Sequence, residues 1–353
     1  MSDMSLAIEA AERVFKDQAD PQSIILAGDD GWKSRLWDAM EHVGLPTAWL
    51  PEALGGIELS LAEGFGLIRS AGRFALAAPF VQTLISGWVA GRAGFELPPG
   101  PTCIVLCEKS RMSVSVDKSN RLTGAIHQVP FARDAKNLLL VMEEAQGTTI
   151  GLIHFSDCTI TPGYSLAFDA NDTVAFSQVT PSVLQSAPEL DFDAVQFLCA
   201  TANAVCVSGA LEVVLDLSVN YAQERIAFER PIAKFQAVQQ SLARLGGEVA
   251  ASLAVSESAA QALSLPDITH DSLLLEVASA KIRCSQAAEQ ACALAHQVHG
   301  AIGFTAEHIL HRYTLRALSW RDEFGSATAW SRRLGQFVSA RKGTELWSFL
   351  TAA

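Results

Sequence analysis

The run from Phe192 to Arg225 constrains this chain more than any other segment. It contains no proline and is apolar nearly all round as far as Val214. A helix without a polar face is stable when other helices surround it, so the run predicts the buried member of a bundle. A membrane is the other apolar solvent. The longest apolar stretches are interrupted by polar or charged residues well before spanning length, so no membrane segment is expected. Later segments supply the rest of the bundle. Phe235, Val238, Leu242, Leu245, Val249 and Leu253 recur at helical spacing. A further helix is expected over roughly Asp271 to Val298, then two more from Ala306 to about Ala340, broken near Phe324-Gly325.

The period changes upstream. CIVLCE, MSVSV, LLLVMEE, TTIGLIHF and TVAFSQV are short, rich in β-branched residues and separated by turn residues. They predict a mostly antiparallel β-region. The stretch 179–191, with Pro181 and Pro188, reads as a linker. Before Pro101 the chain is helical again: Ala7, Ala10, Ala11 and Val14 share one face, as do Trp32, Leu36, Met40 and Val43. Pro51 and the Gly55-Gly56 pair place a loop between helices. Helices, then strands, then helices make an α+β chain with segregated parts. The expected division is an N-terminal helical domain over 1–100, a small β-domain over 101–187 and a C-terminal helical bundle over 188–353.

Charge and cysteine content exclude several classes of function. The net charge of −12 argues against nucleic acid, which needs concentrated lysine and arginine. The first residues carry acids and no apolar core, so no leader is expected and the cytoplasm is the expected compartment. Seven cysteines, an odd number without a CxxC pair, suit free thiols in a reducing environment. Neither GxGxxG nor GxxxxGK[ST] occurs, which removes a nicotinamide Rossmann domain and a P-loop. His296 and His299, and likewise His308 and His311, are three apart and offer two metal ligands or two ordinary polar side chains. No carboxylate cluster accompanies them, and no metal is expected.

Three segments carry a specific pattern. YAQERIAFERPIAKFQAVQQSLA (221–243) holds Tyr221, Arg225, Phe228, Pro231, Ile232, Phe235 and Gln236. QVHGAIGFTAEHILHR (297–312) holds Gln297 and Gly300. WLPEALGGIELSLAE (49–63) holds Pro51, Glu52 and the glycine pair. Together, in this order, they resemble the acyl-CoA dehydrogenase family. That resemblance implies an N-terminal helical domain, a middle β-domain, a C-terminal four-helix bundle and FAD as cofactor. It also implies an acyl-CoA substrate, with an electron-transfer flavoprotein as electron acceptor.

The family's matching residues hold the ADP half of the flavin bound by the neighbouring subunit, which assigns Arg225, Phe228, Gln236, Gln297 and Gly300 to a partner's FAD. The residue types suit the task. A guanidinium pairs with pyrophosphate, a glutamine amide both donates to and accepts from adenine edges, and glycine lets backbone N–H groups approach phosphate. Arg225 equally suits a surface ion pair, and Gln297 a polar helix end.

The departures are as informative. Glu229 stands in place of the glycine of Arg-x-x-Phe-Gly, and Ala301 in place of the second glycine of the Gly-Gly pair. The family's flavin-ring loop is not found, and LTGAIHQVPFARDA (122–135) occupies its Trp-Ile-Thr strand without a tryptophan. The family's catalytic glutamate falls on Phe324, before Gly325-Ser326, and its alternative position falls near Cys199-Ala200. Glu323 is the acid beside the first of these, roughly 100° away on a helix. It and Asp322 equally suit a helix N-terminus. Three readings follow. The chain is the smaller subunit of a heterotetrameric acyl-CoA dehydrogenase of lipid or steroid catabolism, whose second subunit supplies the base. Alternatively it is a self-sufficient homo-oligomer using Glu323, or a structural paralogue without flavin.

Overall fold

The computed structural model describes residues 3–109, 113–145, 147–341 and 347. The chain folds into two compact units, Met1–Cys199 and Ala200–Ala353.

The first unit opens with α1 (Asp3–Ala19), α2 (Pro21–Ala27) and α3 (Gly31–His42), then α4 (Leu61–Arg73) and α5 (Phe80–Ala93). The α1 residues that disappear from solvent are Ala11, Phe15 and Ala19. Of the expected alanine-valine face, Ala11 is buried and Ala7, Ala10 and Val14 are half-buried. The buried line runs on one turn beyond Ala11 to Phe15, whose ring packs edge-on against Phe74 and Phe80 at 5.8 and 5.5 Å. In α3 the expected Trp32, Leu36 and Met40 are buried, whereas Val43 follows the last helical residue and is 41% exposed. The loop before α4 needs its glycine pair. Gly55 has φ +83°, and a Cβ on Gly56 would lie 1.9 Å from the Leu50 carbonyl oxygen. Ser60 and Glu63 then form a reciprocal capping box that starts α4.

Eight strands follow: β1 (Thr102–Cys107), β2 (Val114–Val116), β3 (Leu122–Pro130), β4 (Asn137–Glu143), β5 (Thr148–His154), β6 (Thr159–Thr161), β7 (Asn171–Val179) and β8 (Val183–Ala187). Met112, at the start of the expected MSVSV strand, lies outside the described residues. The strands make two four-stranded sheets, ordered β1-β4-β5-β8 and β2-β3-β7-β6. All their pairings are antiparallel except β1 with β4. The core between them is built from Leu138, Leu140, Met142, Ile153, Val174 and Phe176. The expected linker is corrected here. Between its two prolines, β8 pairs along β5 as an edge strand, where the missing proline N–H groups at either end cost no ladder bond.

Tertiary pairing across this β-region centres on Asp172. Its fully buried carboxylate accepts from the Arg133 backbone N–H at 2.9 Å, the Arg133 Nε at 3.0 Å and the Gly163 N–H at 2.9 Å. Burial pushes this carboxyl up, but these charge-assisted bonds, the Arg133 side chain's above all, outweigh it and hold the carboxyl below the usual range.

The second unit takes over within α6 (Phe192–Glu224), which continues as predicted, and every residue from Phe197 to Leu211 is buried. Contrary to the expectation that no apolar stretch reaches spanning length, it is long and apolar enough to cross a membrane, but 83% of its most apolar window is buried within the protein, as in a core helix. A short hairpin, β9 (Ile226–Ala227) and β10 (Arg230–Pro231), leads into α7 (Gln236–Leu263). Then come α8 (His270–His299), α9 (Leu310–Trp320) and α10 (Ala327–Ser339). On α7 the expected stripe is buried at Leu245 and Val249 and half-buried at Val238 and Leu242. The buried Ser256 donates to the Ser208 hydroxyl of α6 at 3.0 Å, and Arg283 of α8 pairs with Glu248 of α7 at 2.7 Å.

Candidate functional site

One end of the second unit gathers the residues expected to meet a nucleotide. The helix α6 stops at Glu224, and the N–H of Arg225 still reaches the Tyr221 carbonyl at 2.8 Å. The chain then reverses in two residues, Phe228 and Glu229, with φ +52° and +65°. Both central residues are left-handed, the geometry of a tight hairpin turn that asparagine-glycine would satisfy without strain. Glu229, at the position of the motif's glycine, is left-handed, a conformation that its Cβ makes strained. Phe228 stands 89% exposed on the turn, edge-on to Phe235 at 6.2 Å, while Arg230 lies over the Phe235 ring at 4.3 Å. Arg225 is exposed, and so is Gln236, the first residue of α7.

Aromatic stacking joins this end of α6 to the end of α8. Tyr221 stacks on His299 with centroids 4.5 Å apart, and His308 meets His299 edge-on at 4.8 Å. Gly300 follows with φ +66° and ψ −145°, ending α8, and Gln297 is exposed on the last turn. A Cβ at Gly300 would touch nothing, so its backbone conformation is what calls for glycine. The paired histidines turn out to be packing elements. His296 bonds the Thr314 hydroxyl at 2.9 Å and stacks on Phe304 at 4.1 Å; His299 Nδ1 bonds the Ala295 carbonyl at 2.8 Å. Burial lowers the pKa of His296, His299 and His308, and neighbouring imidazoles lower each further. Among the described residues, no group of three histidine, cysteine or acidic side chains is placed to hold a metal.

The arrangement suits the ADP half of FAD. It offers an exposed guanidinium, two exposed amides and a glycine turn, and the buried Nδ1 of His296 beside them has no hydrogen-bond partner. The β-region offers less to a flavin ring: β3 carries no tryptophan.

The second candidate region is the turn between α9 and α10. Phe324 and Gly325 have φ +54° and +104°, and the Phe324 carbonyl accepts from Trp330 Nε1 at 3.1 Å. A Cβ on Gly325 would lie 2.7 Å from that same indole nitrogen, so the close approach and the backbone both demand glycine. Ser326 caps α10 through the Ala329 N–H. The first turn of α10 contains no acid, so Asp322 and Glu323 do not act as N-terminal acids there. Glu323 is instead half-buried at the end of α9, with its N–H on the Trp320 carbonyl at 3.0 Å.

Its charge is felt inside the bundle. It raises the pKa of the buried Lys281 on α8 against desolvation, and adds to the upward push that burial gives Cys206 on α6. Lys281 is 1% exposed and donates to the Asn203 side-chain oxygen of α6. No sequence signal singled out Lys281 or Asn203, because the two are brought together only when α8 returns along α6. The thiols are not candidates for nucleophiles. Burial pushes Cys107 and Cys158 up to about 11, and Cys284 and Cys292 up to about 12.

Residues 200–328 match the family model described as the acyl-CoA dehydrogenase C-terminal domain. Over 332 residues the chain is 25% identical to the acyl-CoA dehydrogenase FadE27 of Mycobacterium tuberculosis, covering 85% of this chain and 87% of that protein. It is 26% identical to the acyl-CoA dehydrogenase IpdE2 of the same organism, covering 88% and 89% respectively. Its fold matches a chain of the ChsE4-ChsE5 complex from M. tuberculosis with a TM-score of 0.79 at 20% identity, covering 97% of this chain and 99% of that one. It also matches the Tcur3481-Tcur3483 steroid ACAD with a TM-score of 0.81 at 23% identity, covering 96% and 98%.

Proposed function

This chain belongs to the acyl-CoA dehydrogenase family, FAD-dependent oxidoreductases that act on the CH–CH bond of acyl-CoA thioesters, and from that premise we propose that it works as the non-catalytic subunit of a heteromeric enzyme. In this reading a second, fuller family member supplies the base and the flavin-ring pocket. This chain supplies contacts to the ADP half of the partner's FAD, together with interface surface. The relatives point the same way: one matched structure is a complex of two differently named chains, and another is described as a steroid enzyme. A bulky acyl-CoA of lipid or steroid catabolism is the proposed substrate of the assembly, in the cytoplasm.

The observation that carries the proposal is the turn at Phe324. Dehydrogenation needs a carboxylate to remove the α-proton while the β-hydrogen leaves as hydride to the flavin, the group that supplies the redox chemistry when bound. The base position here holds an apolar ring. Its acidic neighbour is one residue along and acts on a lysine within the bundle. Arg225 would meet the pyrophosphate, Gln236 and Gln297 the adenine side, and Gly300 would let the backbone come close. Phe228, exposed on its turn, would cover the nucleotide.

Co-expression with a fuller family chain tests this. The expected result is a heterotetramer by light scattering that carries a flavin absorbance band, whereas the chain purified alone carries none. A flavin-loaded homo-oligomer would instead establish the self-sufficient enzyme using Glu323. A stable assembly free of flavin in both preparations would establish the structural paralogue.

A further inference from the structure

The hairpin between α6 and α7 carries a second guanidinium that the motif residues leave without a task. Arg230 opens β10, and its guanidinium lies over the Phe235 ring at 4.3 Å. A guanidinium held flat on an aromatic face keeps the N–H groups on its edge free to donate. Phe235 is itself met edge-on by Phe228, so the cation rests on a pair of rings. Arg230 is exposed, and so is Arg225. Among the described residues no carboxylate pairs with either guanidinium, although Glu224 and Glu229 are exposed beside them in the chain.

The ladder of the hairpin relates the two arginines. Arg230 stands opposite Ala227, and Pro231 opposite Ile226. The next rung is the Ile232 N–H, which donates to the Arg225 carbonyl at 2.8 Å. Residues directly opposite share a face, and so do residues two apart on one strand. Arg225 and Arg230 therefore belong to the same face, on facing strands. Two like charges so placed repel each other, and an anion between them reverses that cost.

We propose that Arg230 is a second phosphate-binding residue, and that Arg225 and Arg230 together clamp the pyrophosphate of the partner's FAD. The inference rests on the ADP-half reading above and deepens it. A pyrophosphate diester carries two negative charges, and one guanidinium answers only one of them. The Phe235 ring positions Arg230 before the cofactor arrives, which reduces the side-chain freedom lost on binding.

Fluorescence titration of FAD into the flavin-free assembled complex tests the clamp through Arg230→Ala, Arg230→Lys and Arg225→Ala. Arg230→Ala should weaken FAD binding by about tenfold to a hundredfold, the loss of one charge-assisted contact to phosphate. Arg230→Lys should recover part of that loss, because an ammonium keeps the charge but not the flat stack. The melting temperature of the flavin-free complex should not move in either variant, since both changes are on an exposed side chain. Unchanged FAD binding in Arg230→Ala beside a loss in Arg225→Ala would overturn the clamp and leave the ADP-half reading standing. Unchanged binding in both would remove that reading and the clamp with it. A weaker FAD complex whose flavin-free melting temperature falls as well would assign Arg230 to the folding of the hairpin and overturn the proposal. Coenzyme A carries a pyrophosphate of its own and is titrated in parallel. A loss confined to coenzyme A would give Arg230 to the substrate instead of the flavin.

Discussion

The two ends of the helical unit depart from the family pattern in different ways. At the α6–α8 end, Glu229 and Ala301 replace glycines of the motifs. Glu229 occupies a left-handed position that glycine would fill without strain, Gly300 keeps its positive φ, and Arg225, Gln236 and Gln297 remain exposed. At the α9–α10 turn Gly325 and the Ser326 cap match the pattern, while the position that the resemblance gives to the base holds Phe324. In the proposed reading, ligand contacts and catalytic groups are separable on one scaffold. The first depend on backbone shape and a few polar atoms, and the second on a single side chain.

Turnover gives the widest contrast between the two ends. The isolated chain should show no acyl-CoA dehydrogenase activity, while the assembled enzyme turns over. A positioned base contributes typically about 10²–10⁴ in rate, so a steady-state assay resolves the two easily. Activity in the isolated chain would erase the distinction between the ends.

Arg225→Ala addresses the other end. Loss of a charge-assisted contact to phosphate costs roughly 1.5–3 kcal/mol, about one to two decades of flavin affinity, with folding intact. Flavin content after dialysis measures it. Unchanged content would remove Arg225 from the site, and an unfolded variant would show that the residue serves the bundle.

Acid should act on the first end. Burial depresses His296, His299 and His308, so the unfolded chain takes up protons before the folded one as pH falls below about 6.5. Stability should fall through that range and hold above it. Urea midpoints at pH 7 and pH 5 would show the loss, and His299→Gln should reduce it. An identical midpoint at both pH values would mean that these rings titrate normally.

The smallest expected effect is Glu229→Gly. Relief of left-handed strain, less the added freedom of the unfolded glycine, should stabilise the chain by about 0.5–1 kcal/mol. Chemical denaturation resolves this, and a destabilised variant would mean that the Glu229 side chain holds the hairpin by a contact of its own.

What the sequence determined by itself was everything with a local period or a local motif. The buried α6, the helix and strand segments and the ordered family motifs all follow from residues within a few turns of each other. Even there, the full core escaped: Phe15, which packs on Phe74 and Phe80, was not among the expected core residues. The strand β8 was hidden for the same reason: five residues between prolines become a strand only when β5 offers an edge. Only the tertiary structure could decide the contents of the bundle. Lys281 and Asn203 are 78 residues apart, and Arg133 and Asp172 are 39 apart. No local pattern records such pairs, because a buried charge is specified by what the returning chain places beside it.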